Sequence, residues 1–119
     1  MTEGKEKSYP YLFKKSKKEQ EKLRERRQKA REEAEKAASI LKEEFKAEKV
    51  WLFGSLLQEG KFNERSDIDL AAKGIPPDKF YKALGKIMRK VEGFKVDLVD
   101  IDDTRESLRK RIKEEGEVI

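Results

Sequence analysis

Three carboxylates and one small-residue turn could do chemistry in this chain. Asp67 and Asp69 stand in the run Asp67, Ile68, Asp69, Leu70, which alternates acid and apolar. In a strand, that alternation puts both acids on one face and both apolar residues on the other. Same-face neighbours lie about 6–7 Å apart along a strand, and carboxylates so placed can share divalent ions about 3.5–4 Å from each other. Asp97 has a similar setting: Val96 and Leu98 face one way, while Lys95, Asp97 and Val99 face the other. Upstream, Val50, Trp51, Leu52 and Phe53 form a bulky, β-prone run, and Gly54 and Ser55 follow it. Gly54 suits a place where the backbone bends or approaches something closely. Eleven residues separate Ser55 from Asp67. The first of them, Leu56, Leu57, Gln58 and Glu59, predict a helical turn ending near Gly60. Its free N–H groups, beside Ser55, are a natural place for phosphate oxygens. Lys61 and Arg65 lie in the polar loop of residues 61–66. They are further candidates for phosphate contact, although loops are commonly polar for other reasons.

Composition narrows the chemistry. The 119 residues suit one domain, and 46% charged residues leave a small core under a charged surface. Without Cys there is no disulfide framework or thiolate, and without His there is no imidazole base or ligand. Acid–base and metal work therefore falls to carboxylates, which favours Mg²⁺ or Mn²⁺ over zinc. No apolar run approaches a membrane span and no signal-peptide pattern opens the chain, so the expectation is a cytoplasmic protein without membrane contact. The net charge of +5 sits entirely in residues 1–46, which carry fifteen Lys/Arg and ten Asp/Glu. Residues 47–119 carry fifteen of each.

The elements that must position the candidate residues follow from periodicity. Residues 1–7 are polar and read as unstructured. Residues 8–13 (Ser-Tyr-Pro-Tyr-Leu-Phe) are an aromatic patch, either an anchor or a sticky terminal turn. Residues 14–29 are good helix formers and strongly basic, with Leu23 the one large apolar residue. They suit contact with nucleic acid or an acidic partner, or a solvated helix extension with Glu–Lys and Glu–Arg pairs. Ala30, Ala34, Ala37, Ala38, Leu41 and Phe45 then recur at helical steps. The reading is one long helix over residues 14–46, docked only by its second half. The division expected is a basic arm, residues 1–29, and a domain, residues 30–119. Strands are expected at residues 49–53, 67–73 and 94–99, with a short edge strand at Val118 and Ile119. Between the second and third strands a helix carries the stripe Phe80, Leu84, Ile87, Met88 and Val91, capped by Gly93. Tyr81 is expected to be partly in the core, with a stacking role as the other reading. Asp103 and Glu106 resemble a capping box for the last helix, with Leu108 and Ile112 on its buried side and Gly116 at its end. The fold class is α/β in the broad sense (α+β): a small mixed sheet of three to four strands with helices on one face and the acids on the other.

Apolar strand, Gly-Ser, a gap of about ten residues and Asp-apolar-Asp together resemble the nucleotidyltransferase superfamily of DNA polymerase beta. The small size is similar to the minimal nucleotidyltransferases, and the resemblance covers residues 30–119. It implies a nucleotidyltransferase fold and transfer of a nucleoside monophosphate, with ATP or another NTP as donor and Mg²⁺ or Mn²⁺ as cofactor. It implies that Asp67 and Asp69 hold the metal ions, that Asp97 is the third carboxylate and orients or deprotonates the acceptor, and that Gly54 and Ser55 receive the phosphates. It further implies a HEPN-domain protein partner, silenced by adenylylation in a toxin–antitoxin pair. In one respect the chain departs from many relatives: Leu56 and Leu57 stand where an Arg follows Gly-Ser. Two other readings stay open: a non-catalytic antitoxin acting by contact, and a nucleic-acid adaptor using the basic arm. The sequence is also compatible with a homo-oligomer.

Overall fold

The computed structural model describes residues 16–58 and 60–119. The aromatic patch at residues 8–13 and the rest of residues 1–15 lie outside the described residues, as does Glu59.

Helix α1 (Lys17–Phe45) opens on a capping box. The Glu19 N–H donates to Ser16 Oγ at 3.1 Å, and the Ser16 N–H donates to Glu19 Oε1 at 3.0 Å. It ends at Lys46, whose left-handed backbone (φ 64°) turns the chain toward the sheet. The expected stripe of Ala30, Ala34, Ala37, Ala38, Leu41 and Phe45 is buried throughout. Its small residues let the helix lie close to the strands. Glu33 is buried among them. Burial opposes its ionisation, but Lys36 at 2.8 Å, the Glu92 N–H at 2.9 Å and Lys29 outweigh it and hold the carboxyl below its usual range.

Strands β1 (Lys49–Phe53), β2 (Ile68–Lys73), β3 (Val96–Asp100) and β4 (Glu117–Val118) form one mixed sheet in the order β3-β2-β1-β4. β1 is antiparallel to β2 and to β4, and β2 is parallel to β3. Val50, Leu52, Ile68, Leu70, Ala72, Val96 and Leu98 face α1 and helix α2 (Phe80–Lys90) and form the main core. The parallel β2–β3 pair requires a crossover, and α2 supplies it.

The opposite face is not bare, as the sequence reading had it. Trp51 and Ala71 are buried there against Ile101 and Ile112, with Phe53, Val99 and Leu108 at the margin. Helix α3 (Glu106–Glu115) covers part of the face that carries the acids. The physical reason is in β1, where Val50 to Phe53 are apolar at every position and leave no polar side to face water.

Other expectations are corrected. Tyr81 is 80% exposed and Met88 57% exposed. The buried stripe of α2 runs instead through Ala83 and Ile87, with Phe80 and Leu84 partly covered. The last helix is not capped by Asp103: its N-cap is Arg105, and Asp100 caps the preceding short 3-10 helix by accepting from the Asp102 N–H at 3.0 Å. Docking of α1 also begins before Ala30. Leu23 packs against the core, the Arg26 guanidinium lies 4.3 Å from the Phe94 ring centroid, and Arg27 Nε donates to Leu56 O at 3.0 Å. Arg26 Nη2 also donates to Gly93 O at 3.3 Å, so Arg26→Ala should lower unfolding stability by about 1 kcal/mol, the scale of a half-buried cation–π contact plus a hydrogen bond. Urea unfolding would measure this, and an unchanged midpoint would show that the first half of α1 is not coupled to the domain.

Candidate functional site

Strand register places the site. Phe53 is the antiparallel partner of Asp69, and Asp69 is the parallel partner of Asp97. The two acids thus sit side by side on adjacent strands, whose spacing is about 4.8 Å. Asp67 lies one residue before β2, where the Ile68 N–H donates to Lys95 O at 2.9 Å and ties the start of β2 to the start of β3. Asp67 and Asp97 are exposed, and Asp69 is half-buried. The three sequence-predicted carboxylates are therefore brought to one end of one sheet face.

Gly54 closes the site from the end of β1. Its backbone is left-handed (φ 87°), and a Cβ there would lie 2.4 Å from Asp69 Oδ2. Both observations require glycine: the conformation excludes most side chains, and the space is taken by the Asp69 carboxylate. Ser55 begins a short 3-10 helix (Ser55–Leu57) and is partly exposed; the turn starts one residue earlier than expected and includes Ser55. Lys61 and Arg65 are exposed on the following loop, where the Arg65 N–H donates to Asn63 Oδ1 at 2.8 Å. Neither lines the two cavities on which the acids open.

The acids are divided between two cavities. One, of about 400 Å³, is lined by Gly54, Asp69, Leu57 and Gln58, with Leu108, Arg111 and Glu115 from α3. The other, of about 430 Å³, is lined by Asp67 and Asp97 with Met88, Phe94, Lys95 and Val96. Sequence reasoning missed Arg111 and Glu115, although their four-residue spacing beside Leu108 and Ile112 puts them on one side of α3. Finding them required knowing which sheet face α3 covers.

The electrostatics are those of an uncompensated cluster. Burial first, then the charges of Asp97 and Asp67, push the Asp69 carboxyl up to about 6. Among the described residues no Lys or Arg ion-pairs with any of the three acids. A hard divalent cation suits such an all-oxygen, uncompensated set. The acids do not converge on a single point: no group of three acidic side chains among the described residues is arranged to hold an ion. Asp97 Oδ1 accepts instead from the Leu98 N–H at 3.0 Å.

The sequence pattern of the family "Polymerase beta, Nucleotidyltransferase" matches residues 35–119. The chain belongs to that nucleotidyltransferase family. No curated protein is matched. Among solved structures, a mutant of the MntA–HepT toxin–antitoxin pair is similar at 21% identity and TM-score 0.58, covering 71% of this chain and 70% of that one. The MntA–HepT pair itself gives 21% and 0.56 over 74% and 69%. A toxin–antitoxin structure with AMP-PNP gives 24% and 0.59 over 71% and 70%. These likenesses show the fold. No helix among the described residues is long and apolar enough to cross a membrane.

The raised carboxyl makes the stability of this nucleotidyltransferase depend on pH. Between the ordinary value of 3.8 and about 6, the native state binds more protons at Asp69 than the unfolded chain. Stability therefore falls as pH rises through that window. Asp69→Asn should stabilise the metal-free protein by about 1 kcal/mol at pH 7, a figure already reduced for solvent screening. At pH 3.5 the gain should vanish. Thermal unfolding in chelator across pH measures it, and a gain independent of pH would show that charge is not the cause.

Proposed function

We propose that this nucleotidyltransferase transfers AMP from ATP to a hydroxyl of a HEPN-type partner protein. One observation carries the proposal: Asp69 opens on one cavity with Gly54, and Asp67 and Asp97 open on the other. The donor would meet Asp69 in one cavity and the acceptor would meet Asp67 and Asp97 in the other. The fold shared with MntA–HepT structures, and with a toxin–antitoxin structure with AMP-PNP, supports the choice of partner and donor.

Asp67, Asp69 and Asp97 would hold Mg²⁺ or Mn²⁺, which when bound offsets charge on the phosphates and lowers the pKa of the acceptor hydroxyl. Gly54, having no Cβ, lets the donor phosphates approach Asp69. Ser55 offers its hydroxyl and N–H to them, and Lys61 and Arg65 are proposed as outer phosphate contacts from the loop. Met88 and Phe94 give the acceptor side an apolar wall, which suits a protein side chain and its surroundings. Asp97, exposed on that side, orients the acceptor hydroxyl and takes its proton. The acceptor oxygen bonds to the α-phosphorus, the bond to the bridging oxygen breaks, and pyrophosphate leaves.

One observation favours a second reading, neutralisation of the partner by contact without transfer. The three acids do not converge, and Asp97 is turned toward the Leu98 N–H. Asp97→Asn separates the two. On the transfer reading, nucleotide binding changes little, while α-labelled AMP added to the partner falls by about 10²-fold, the scale of one positioned base. Mass spectrometry of the partner after incubation with ATP reads this out. A variant that neutralises the partner fully with no added nucleotide mass would replace transfer with contact inhibition.

A further inference from the structure

Among the described residues, the cavity shared by Gly54 and Asp69 contains one cation, Arg111, on the last turns of α3. Its guanidinium is exposed and has no hydrogen-bond or ion-pair partner among the described residues. Glu115 lines the same cavity one turn on, yet the two make no ion pair. Arg109, two residues earlier, behaves differently. Its guanidinium is committed to Ile101 O at 2.8 Å and Thr104 O at 2.9 Å, and it braces the start of α3. Leu108 and Ile112, on either side of Arg111 in sequence, fix the helix over Trp51 and Ile101. Arg111 is thus a free cation on an anchored helix. The turn after β1 supplies no cation of its own: Leu56 is buried and Leu57 is packed against the core.

We infer that Arg111 binds the terminal phosphates of the nucleotide donor, supplying from the C-terminal helix the cation that the turn lacks. The inference rests on the nucleotidyl-transfer reading above. A planar guanidinium pairs with phosphate oxygens bidentately, and an unpaired one loses no internal contact in doing so. The phosphates would lie between Gly54 and α3, with the α-phosphorus toward Asp69.

The test is calorimetric titration of the full chain with ATP and with AMP, each in Mg²⁺. Arg111→Met should weaken ATP about tenfold, the scale of a charge-assisted hydrogen bond, and leave AMP unchanged. Arg111→Lys should fall between, because it keeps the charge but not the fork. The thermal midpoint without nucleotide should not move in either variant. Equal affinities of Arg111→Met and the unmodified protein for ATP would overturn the assignment and leave the transfer reading standing. An equal loss for ATP and AMP would overturn it as well, because the effect would not lie at the terminal phosphates. An unmodified protein that binds neither nucleotide would overturn the transfer reading and this assignment with it.

Discussion

The register of three strands, fixed by apolar burial on one face, sets the position of the Asp69 carboxylate. That carboxylate is half-buried, opposite Asp97 in the parallel register and against Gly54 at the end of the neighbouring strand. Left to itself a carboxylate avoids such a place, and its raised pKa records the cost. The cost is tolerated because the register of three strands is fixed elsewhere. Leu70 and Leu98, the partners immediately beyond the two acids, are buried on the other face. Slipping the register by one residue would expose them and bury the acids, so hydrophobic burial on one face holds like charges together on the other.

The two faces divide the work. The α1 and α2 face carries most of the core, through an alanine stripe that lets a long helix approach closely. The acid face is split along its length. Trp51, Ala71 and Val99 lie under α3 and the adjoining 3-10 helix, whereas Asp69 and Asp97 lie at the strand starts beyond that cover. α3 is therefore both a lid on the second core and a wall of the cleft, which is how Arg111 and Glu115 come to face Asp69.

Much of this was legible in the sequence because the decisive patterns are short. Asp67 to Leu70 alternate with period two, Ala30 to Phe45 repeat at helical steps, and Gly54 sits where the two strands converge on Asp69. The legible part stopped where one helix had to choose a face. Nothing local to residues 106–115 says that α3 covers the acid side, although Trp51 and Phe53 signalled an apolar surface there. Met88 was misread because Ala83 and Met88 both fit a helical stripe on α2, and the bulkier residue is not the one buried. Docking of α1 ahead of Ala30 leaves little trace in the sequence because, beyond the single Leu23, it uses Arg26 and Arg27, and an arginine's packing on Phe94 or on a backbone carbonyl leaves no hydrophobic pattern.

We propose that Asp67, Asp69 and Asp97 act as one electrostatic unit that binds a divalent cation. Direct titration of the side-chain carboxyl carbons by NMR tests it, with and without Mg²⁺. Asp69 should titrate near 6 in metal-free protein, and saturating Mg²⁺ should drive its apparent value below the ordinary carboxylate range. An Asp69 that titrates normally and ignores Mg²⁺ would contradict it.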